Sequence, residues 1–317
     1  MKNSLISIIG FVIVLLTMGI LTIMFEHWEI VQDIFPLPVS KPRRVVVSLS
    51  TFSTRLQVTA LDCIADLLAH QTMDRLLVTV SLNHRKEQGS CLYAGECVGD
   101  EGIEEASTVT DVLHLFRRRF GMLRPVGKHS FELGKVYLQI MTAADFGPAT
   151  KLLGALMVEQ DPDTILVTVD DDSYYFRGFV QNLASRLPHN SVLGVMFQRL
   201  NPRGEPEIIN TPLLMRIFYE GYGQPIHHWL MGVSGIAYRV GYFDSHIFEE
   251  ARQLPRECFL NDDVWLGGYL KRKGIHPFVY FGWSLYKHVR HATKSLSSIR
   301  GAQSTDITAC ARRYRVH

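Results

Sequence analysis

The run Thr164-Ile165-Leu166-Val167-Thr168-Val169 is apolar and β-branched, and it ends directly on Asp170, Asp171 and Asp172. Asp161-Pro162-Asp163 precedes it and marks a turn. A run this short, without polar alternation, fits a strand buried on both faces of a parallel sheet. Such sheets carry ligands outside the carboxyl ends of their strands, where these three carboxylates lie. Crowded carboxylates repel one another, and burying them costs more still unless a cation neutralises them. A hard divalent ion, Mn2+ or Mg2+, that also grips a diphosphate is the matching partner. An acidic turn capping the next helix is the plainer alternative, but a cap needs one aspartate rather than three. Alternate residues of a strand share a face, so Asp170 and Asp172 are expected to point the same way. One would hold the metal and the other a ribose or sugar hydroxyl, with Asp171 beside them.

The rest of the chain alternates strands and helices. A strand from Arg43, a helix over Leu56–Ala69 and a strand over Arg75–Leu82 make a parallel βαβ unit. Further helices are expected over Thr110–Phe120, Pro148–Met157, Phe176–Leu187 and Trp265–Lys273. Further strands are expected over Val136–Met141, Val192–Phe197, Gly232–Tyr238 and Pro277–Tyr280. Asn83–Thr108 and the proline-bearing Asn201–Gln224 read as loops. The pattern predicts one α/β domain on a mostly parallel mixed sheet.

From Asn3 to Phe25 no residue is charged. A bilayer-spanning helix needs about 20 apolar residues, which this run supplies. No small-residue cleavage site is visible before Glu26-His27-Trp28, which favours an anchor over a cleaved leader. The expected organisation is an anchor over 1–25, a stem over 26–42 stiffened by Pro36, Pro38 and Pro42, and a catalytic domain over 43–317. The flanking charges, Lys2 on one side and both signs on the other, do not fix the orientation. The net charge of +2 gives no argument for a nucleic-acid partner. Of five cysteines, Cys91 and Cys97 flank a glycine-containing loop and either close a small ring or stay free thiols.

Four more segments carry chemistry. Asp145-Phe-Gly-Pro-Ala-Thr-Lys151 follows a strand and opens a helix, which sets Lys151 one turn in, within reach of a phosphate or of the Asp cluster. Asn261-Asp262-Asp263 opens another helix, whose dipole favours carboxylates there. Asp262 and Asp263 are therefore either caps or catalytic acids, an ionised carboxylate beside an acceptor hydroxyl being a general base. Gly232-Val-Ser234-Gly235 lets backbone approach a ligand, or simply packs tightly in the sheet. Ser50, Thr51 and Arg55, at the end of the first strand, suit nucleotide and diphosphate contacts, or cap a helix. His288 and His291 follow the last strand, where either could complete a metal shell. Trp265 is a candidate acceptor platform, with core packing as its competitor.

In order, Asp145-x-x-x-x-Thr150-Lys151, Val169-Asp-Asp-Asp172, Gly232-Val-Ser-Gly235 and Asp262-Asp263-Val264 resemble the pattern of GT-A-type glycosyltransferases. The likeness is to the β-1,3-galactosyltransferase and Fringe-like group, and the Gly-Pro-Ala-Thr-Lys-Leu wording is also similar to family-2-type transferases. It covers roughly Val45 to His291. Asp262 stands where that pattern often has Glu, and the Asn201–Gln224 segment has no counterpart. The resemblance implies a single Rossmann-like GT-A domain using a nucleotide-sugar donor, UDP-linked in most such proteins. It also implies Asp172 as main metal ligand, Asp170 as donor contact, Asp263 as base and a C-terminal histidine as second metal ligand. The acceptor would be a glycan, protein or lipid hydroxyl, and the protein a type II membrane protein with its domain in the Golgi or ER lumen. The competing classes are an inactive, lectin-like or structural membrane protein of the same fold, and a nucleotidyltransferase. The latter would carry a basic glycine-rich phosphate loop after the first strand, and none is present.

Overall fold

The structure, a computed structural model, describes residues 34–51, 59–82, 105–121, 124–127, 130–133, 135–144, 146–211, 213–283, 285–288 and 304–316. The expected anchor, most of the stem, Arg55, Asp145, His291, Cys91 and Cys97 lie outside the described residues. Among the described residues no helix is long and apolar enough to cross a membrane.

The strands are β1 (Phe35–Pro36), β2 (Val45–Thr51), β3 (Arg75–Leu82), β4 (Arg124–Gly127), β5 (Ser130–Leu133), β6 (Val136–Ala144), β7 (Ile165–Thr168) and β8 (Ser173–Tyr175). They continue with β9 (Ser191–Gly194), β10 (Met196–Leu200), β11 (Pro206–Asn210), β12 (Tyr222–Pro225), β13 (Trp229–Leu230), β14 (Ile236–Arg239), β15 (His276–Tyr280) and β16 (Leu285–His288). Among the described residues one 11-stranded mixed sheet runs β1-β12-β15-β9-β14-β7-β2-β3-β6-β5-β4. Its centre, β7-β2-β3-β6, is parallel. Antiparallel pairs dominate both flanks.

Side-chain alternation in the central strands divides the core in two. Val46, Leu77 and Leu166 face one side, with Leu152 and Leu153 of the Thr150–Val158 helix and with Trp229 and Trp265. Val45, Val47, Leu49, Leu76, Val78, Ile165 and Val167 face the other, against Ile64 and Leu67 of the Leu61–His70 helix and Phe179 and Leu183 of the Phe179–Arg186 helix. Helices cover both faces, so neither face of these strands needs polar residues, and their sequences read as unbroken apolar runs. Each fully buried aliphatic side chain contributes about 1.5–3 kcal/mol relative to exposure.

Several expected boundaries are corrected. Residues 34–40, read as stem, pack on the domain: β1 pairs with β12, Leu37 is buried and the Ser40 amide donates to the Ser185 carbonyl. The expected Val192–Phe197 strand is two strands of different sheets, β9 and β10. They part after Gly194, whose missing side chain leaves room for Leu230. The Asn201–Gln224 loop instead holds β11, the Leu213–Phe218 helix and most of β12. Gly232–Ser234 is a 3-10 turn rather than the start of a strand.

A C-terminal helix, Ser304–Tyr314, packs on the Asp262–Arg272 helix and is tied down by a Cys258–Cys310 disulfide. The bridge closes a separation of 52 residues, which restricts the unfolded chain. Cys258→Ala is expected to lower stability by about 2–4 kcal/mol. Denaturant titration with and without reductant checks this: reductant should destabilise the wild type by about that much more than it does the variant.

Candidate active site

The strand order reverses between β2 and β7. From β2 the chain builds β3 and β6 on one side, then returns to lay β7 on the other. Clefts at such switch points, outside the carboxyl ends, are where open α/β sheets bind ligands. Ser48 pairs with Thr168, and the Val169 amide donates to the Ser48 carbonyl at 3.0 Å. The register therefore sets the end of β2, with Ser50 and a buried Thr51, beside Asp170. β14 runs antiparallel to β7 with Ile236 opposite Thr168, so the Gly232–Gly235 segment enters at the same end.

Lys151 sits in the first turn of the Thr150–Val158 helix, and its ammonium donates to Asp170 Oδ1 at 2.6 Å. Three bonds hold that helix start in place. Thr150 Oγ1 accepts from the Phe146 amide at 3.0 Å and donates to the Gly147 carbonyl at 2.7 Å. Ser48 Oγ donates to the Lys151 carbonyl at 2.6 Å. Gly147 has φ of 63°, and a Cβ there would lie 2.9 Å from the Phe259 ring. The turn thus needs glycine twice over, for its backbone and for its contact with the segment leading to Asp262 and Asp263.

Asp263 reaches beyond its own helix. Its Oδ1 accepts from the Gly232 amide at 2.9 Å, and Asn261, at the N-cap, makes no side-chain cap bond. A Cβ on Gly232 would lie 2.8 Å from that Oδ1 and 2.9 Å from Lys151 Nζ. The glycine is therefore the floor on which the carboxylate and the ammonium meet. Burial disfavours the charged Lys151 ammonium, but Asp170, Asp262 and Asp263 outweigh it and hold its pKa well above the usual lysine value. One lysine links the acidic loop after β7 to the acidic start of a helix some ninety positions later. Of the acidic pair, Asp262 is buried and Asp263 is half-buried, so Asp263 is the more accessible of the two.

The acidic triplet is arranged differently from the sequence expectation. β7 ends at Thr168, so strand alternation no longer governs Asp170 to Asp172. Asp171 and Asp172 lie in a turn and are 2% and 6% exposed, while Asp170 is more open. Tyr175, which the sequence reading passed over, braces this turn. Its phenol oxygen accepts from the Asp170 amide at 3.0 Å and donates to the Val233 carbonyl at 3.3 Å. Complete burial pushes that phenol well above its ordinary pKa, so it keeps the proton it donates. Its ring stacks on Phe179 with centroids 5.0 Å apart.

The acceptor assignments change. Trp265 is fully buried in the core and presents no face to a sugar. Ser234 is also fully buried, and its hydroxyl donates to the Met231 carbonyl at 2.9 Å. Gly235, at φ of 79°, turns the chain into β14 against Phe179.

Among the described residues no group of three metal-ligating side chains gathers. The Asp loop still suits a hard cation in its chemistry. Asp170 is matched by Lys151, while Asp171 and Asp172 bury two further carboxylates in the adjoining turn. β16 pairs with β8 so that His288 stands opposite Ser173, which brings the histidine strand alongside that turn.

No protein-family model and no curated relative matches the chain. Among solved structures it is similar to a mannosyltransferase from Pyrobaculum calidifontis in complex with GDP-Man and Mn2+, at 17% identity over 89% of this chain and 67% of that one, TM-score 0.45. It is also similar to the inositol-1-phosphate CTP transferase from T. maritima, at 9% identity over 86% of this chain and 98% of that one, TM-score 0.37. A third likeness is to the WbbM bifunctional glycosyltransferase, at 11% identity over 87% of this chain and 45% of that one, TM-score 0.34. All three are transferases, and likeness this distant assigns no activity to this chain.

Proposed function

We propose that the chain is a metal-dependent, inverting glycosyltransferase that moves a sugar from a nucleotide-sugar donor to an acceptor hydroxyl. One observation carries the reading: the Lys151 ammonium, paired with Asp170, and the Asp263 carboxylate both lie over Gly232 at the switch point of the sheet. A plain capping role for Asp263 does not account for that geometry.

Ser50 and Thr51, at the end of β2, would line the nucleotide side, with Asp170 beside them. Asp172, with His288, would hold Mn2+ or Mg2+, which when bound stabilises the charge on a departing diphosphate. Lys151 balances the carboxylates on both sides and keeps their separation fixed. Asp263 takes the proton of the acceptor hydroxyl as its oxygen bonds to the anomeric carbon. The bond from that carbon to the diphosphate breaks as the nucleoside diphosphate leaves. A base on the side opposite the leaving group gives inversion. Arg55 and Asp145 would add donor contacts, and His291 would serve as the alternative histidine ligand of the metal.

The test is a screen of nucleotide sugars with the purified full chain and Mn2+, reading nucleoside diphosphate release. At least one donor should be hydrolysed, and EDTA should stop it. Glycan binding without any nucleotide binding would instead favour a lectin-like protein.

The proposed location is a single-pass type II membrane protein with its domain in the lumen of the Golgi or ER. The Cys258–Cys310 bridge supports it, because such bonds persist in oxidising compartments. Protease added to sealed vesicles is expected to spare the domain until detergent opens them. Digestion without detergent would place the domain in the cytosol.

A further inference from the structure

We propose that the exposed face of the Leu213–Phe218 helix lies in the surface of the bilayer entered by the N-terminal apolar run. The proposal rests on reading residues 1–25 as an anchor. Leu213, Ile217 and Phe218 are 59%, 55% and 69% exposed, and Tyr219 follows them, also exposed. Met215, on the same helix, is buried in the core. Met215 and the half-buried Arg216, whose Nε donates to the Thr211 carbonyl at 3.0 Å, hold the helix while it turns three large apolar side chains outward. Single exposed apolar residues are ordinary, but a group on one short helix marks an interaction surface. The surface continues beyond the helix. Arg216 lies 5.9 Å from the Trp283 ring, which lies 5.4 Å from the ring of Phe176, the residue after Tyr175.

The place where the chain leaves the fold identifies the occupant. β1 pairs with β12, the strand that follows this helix, with Phe35 opposite Gly223 and Pro36 opposite Tyr222. The Leu37 amide donates to the Gly221 carbonyl at 3.0 Å, two residues past Tyr219. Phe35 is itself exposed at that exit. Only residues 26–33 separate the described fold from Phe25, the end of the uncharged run. Fully extended, that link reaches ~30 Å at most. The connectivity thus tethers this face next to a bilayer. A second copy fits less well: a stable protein interface buries about 1,200–2,000 Å² in total, far more than a few side chains supply.

The experiment uses the full chain reconstituted into phosphatidylcholine–phosphatidylglycerol vesicles, with Ile217 replaced by photoreactive benzoylphenylalanine. A second sample carries the same residue in place of Glu249, which is exposed on another helix. Leu213 provides an independent probe position on the proposed face. Irradiation is expected to give lipid adducts at 217 and 213 and none at 249. Alkaline carbonate extraction of the same vesicles reports on the anchor separately. Carbonate-resistant protein with no lipid adduct at 217 or 213 overturns the docking and leaves the anchor standing. Protein released by carbonate that still gives those adducts upholds the docking face without the anchor. Protein–protein adducts in place of lipid adducts assign the face to a second copy and overturn the proposal.

Discussion

Lys151→Met is expected to cost about 3–5 kcal/mol of stability, the scale for removing one partner of a buried ion pair. Methionine keeps most of the length of the stem and adds no charge, so packing changes little. What changes is that Asp170, Asp262 and Asp263 lose the ammonium they share. For a domain of this size the melting temperature should fall on the order of 10 °C. Thermal unfolding followed by circular dichroism checks it. A double variant, Lys151→Met with Asp170→Asn, should recover part of the loss, because it removes the carboxylate that the lysine contacts at 2.6 Å. If Lys151→Met unfolds at the wild-type temperature, the lysine is a solvated bystander and the proposed linkage between donor and acceptor sides is gone.

Much of this arrangement was legible from local pattern. Arg75–Leu82 is a strand with the bounds expected, because its short run of Leu76-Leu77-Val78-Thr79-Val80 is too brief and too β-branched for a helix. The Thr150–Val158 helix begins within two residues of its expected start at Pro148, since the glycine and proline before it mark the turn. Lys151 meets the Asp cluster because that helix and β7 both pack against β2, an adjacency that the βα alternation implies. Other features carry no local signal. Tyr175 braces the acidic turn through a backbone carbonyl 58 positions away, and nothing local in Tyr174-Tyr175-Phe176 marks which ring turns inward. Cys258 and Cys310 pair only after the C-terminal helix folds back on the Asp262–Arg272 helix. Trp265 reads from sequence as core more readily than as a sugar platform, and its full burial places it in the core. The triplet escapes strand alternation for a definite reason: the last bond to β2 comes from the Val169 amide, and Asp171 and Asp172 lie in a turn.

Asp263→Asn is expected to lower kcat by about two to four orders of magnitude while leaving donor affinity near wild type, the scale for loss of a general base. The structure makes this substitution clean. The asparagine carbonyl oxygen can still accept from the Gly232 amide, as Asp263 Oδ1 does at 2.9 Å, so the loop into β14 keeps its place. Lys151 retains its 2.6 Å contact with Asp170, so the ammonium stays matched. What disappears is the ability to take a proton from the acceptor. Donor binding, read by calorimetry with Mn2+, and turnover, read by sugar transfer, should therefore separate. Asp262→Asn should affect stability more than rate, because that carboxyl group is buried while Asp263 is half-buried. Should Asp263→Asn instead lower the melting temperature and donor binding together, with turnover falling only in proportion, Asp263 is a structural tie between two loops. The proton would then have to leave by another group.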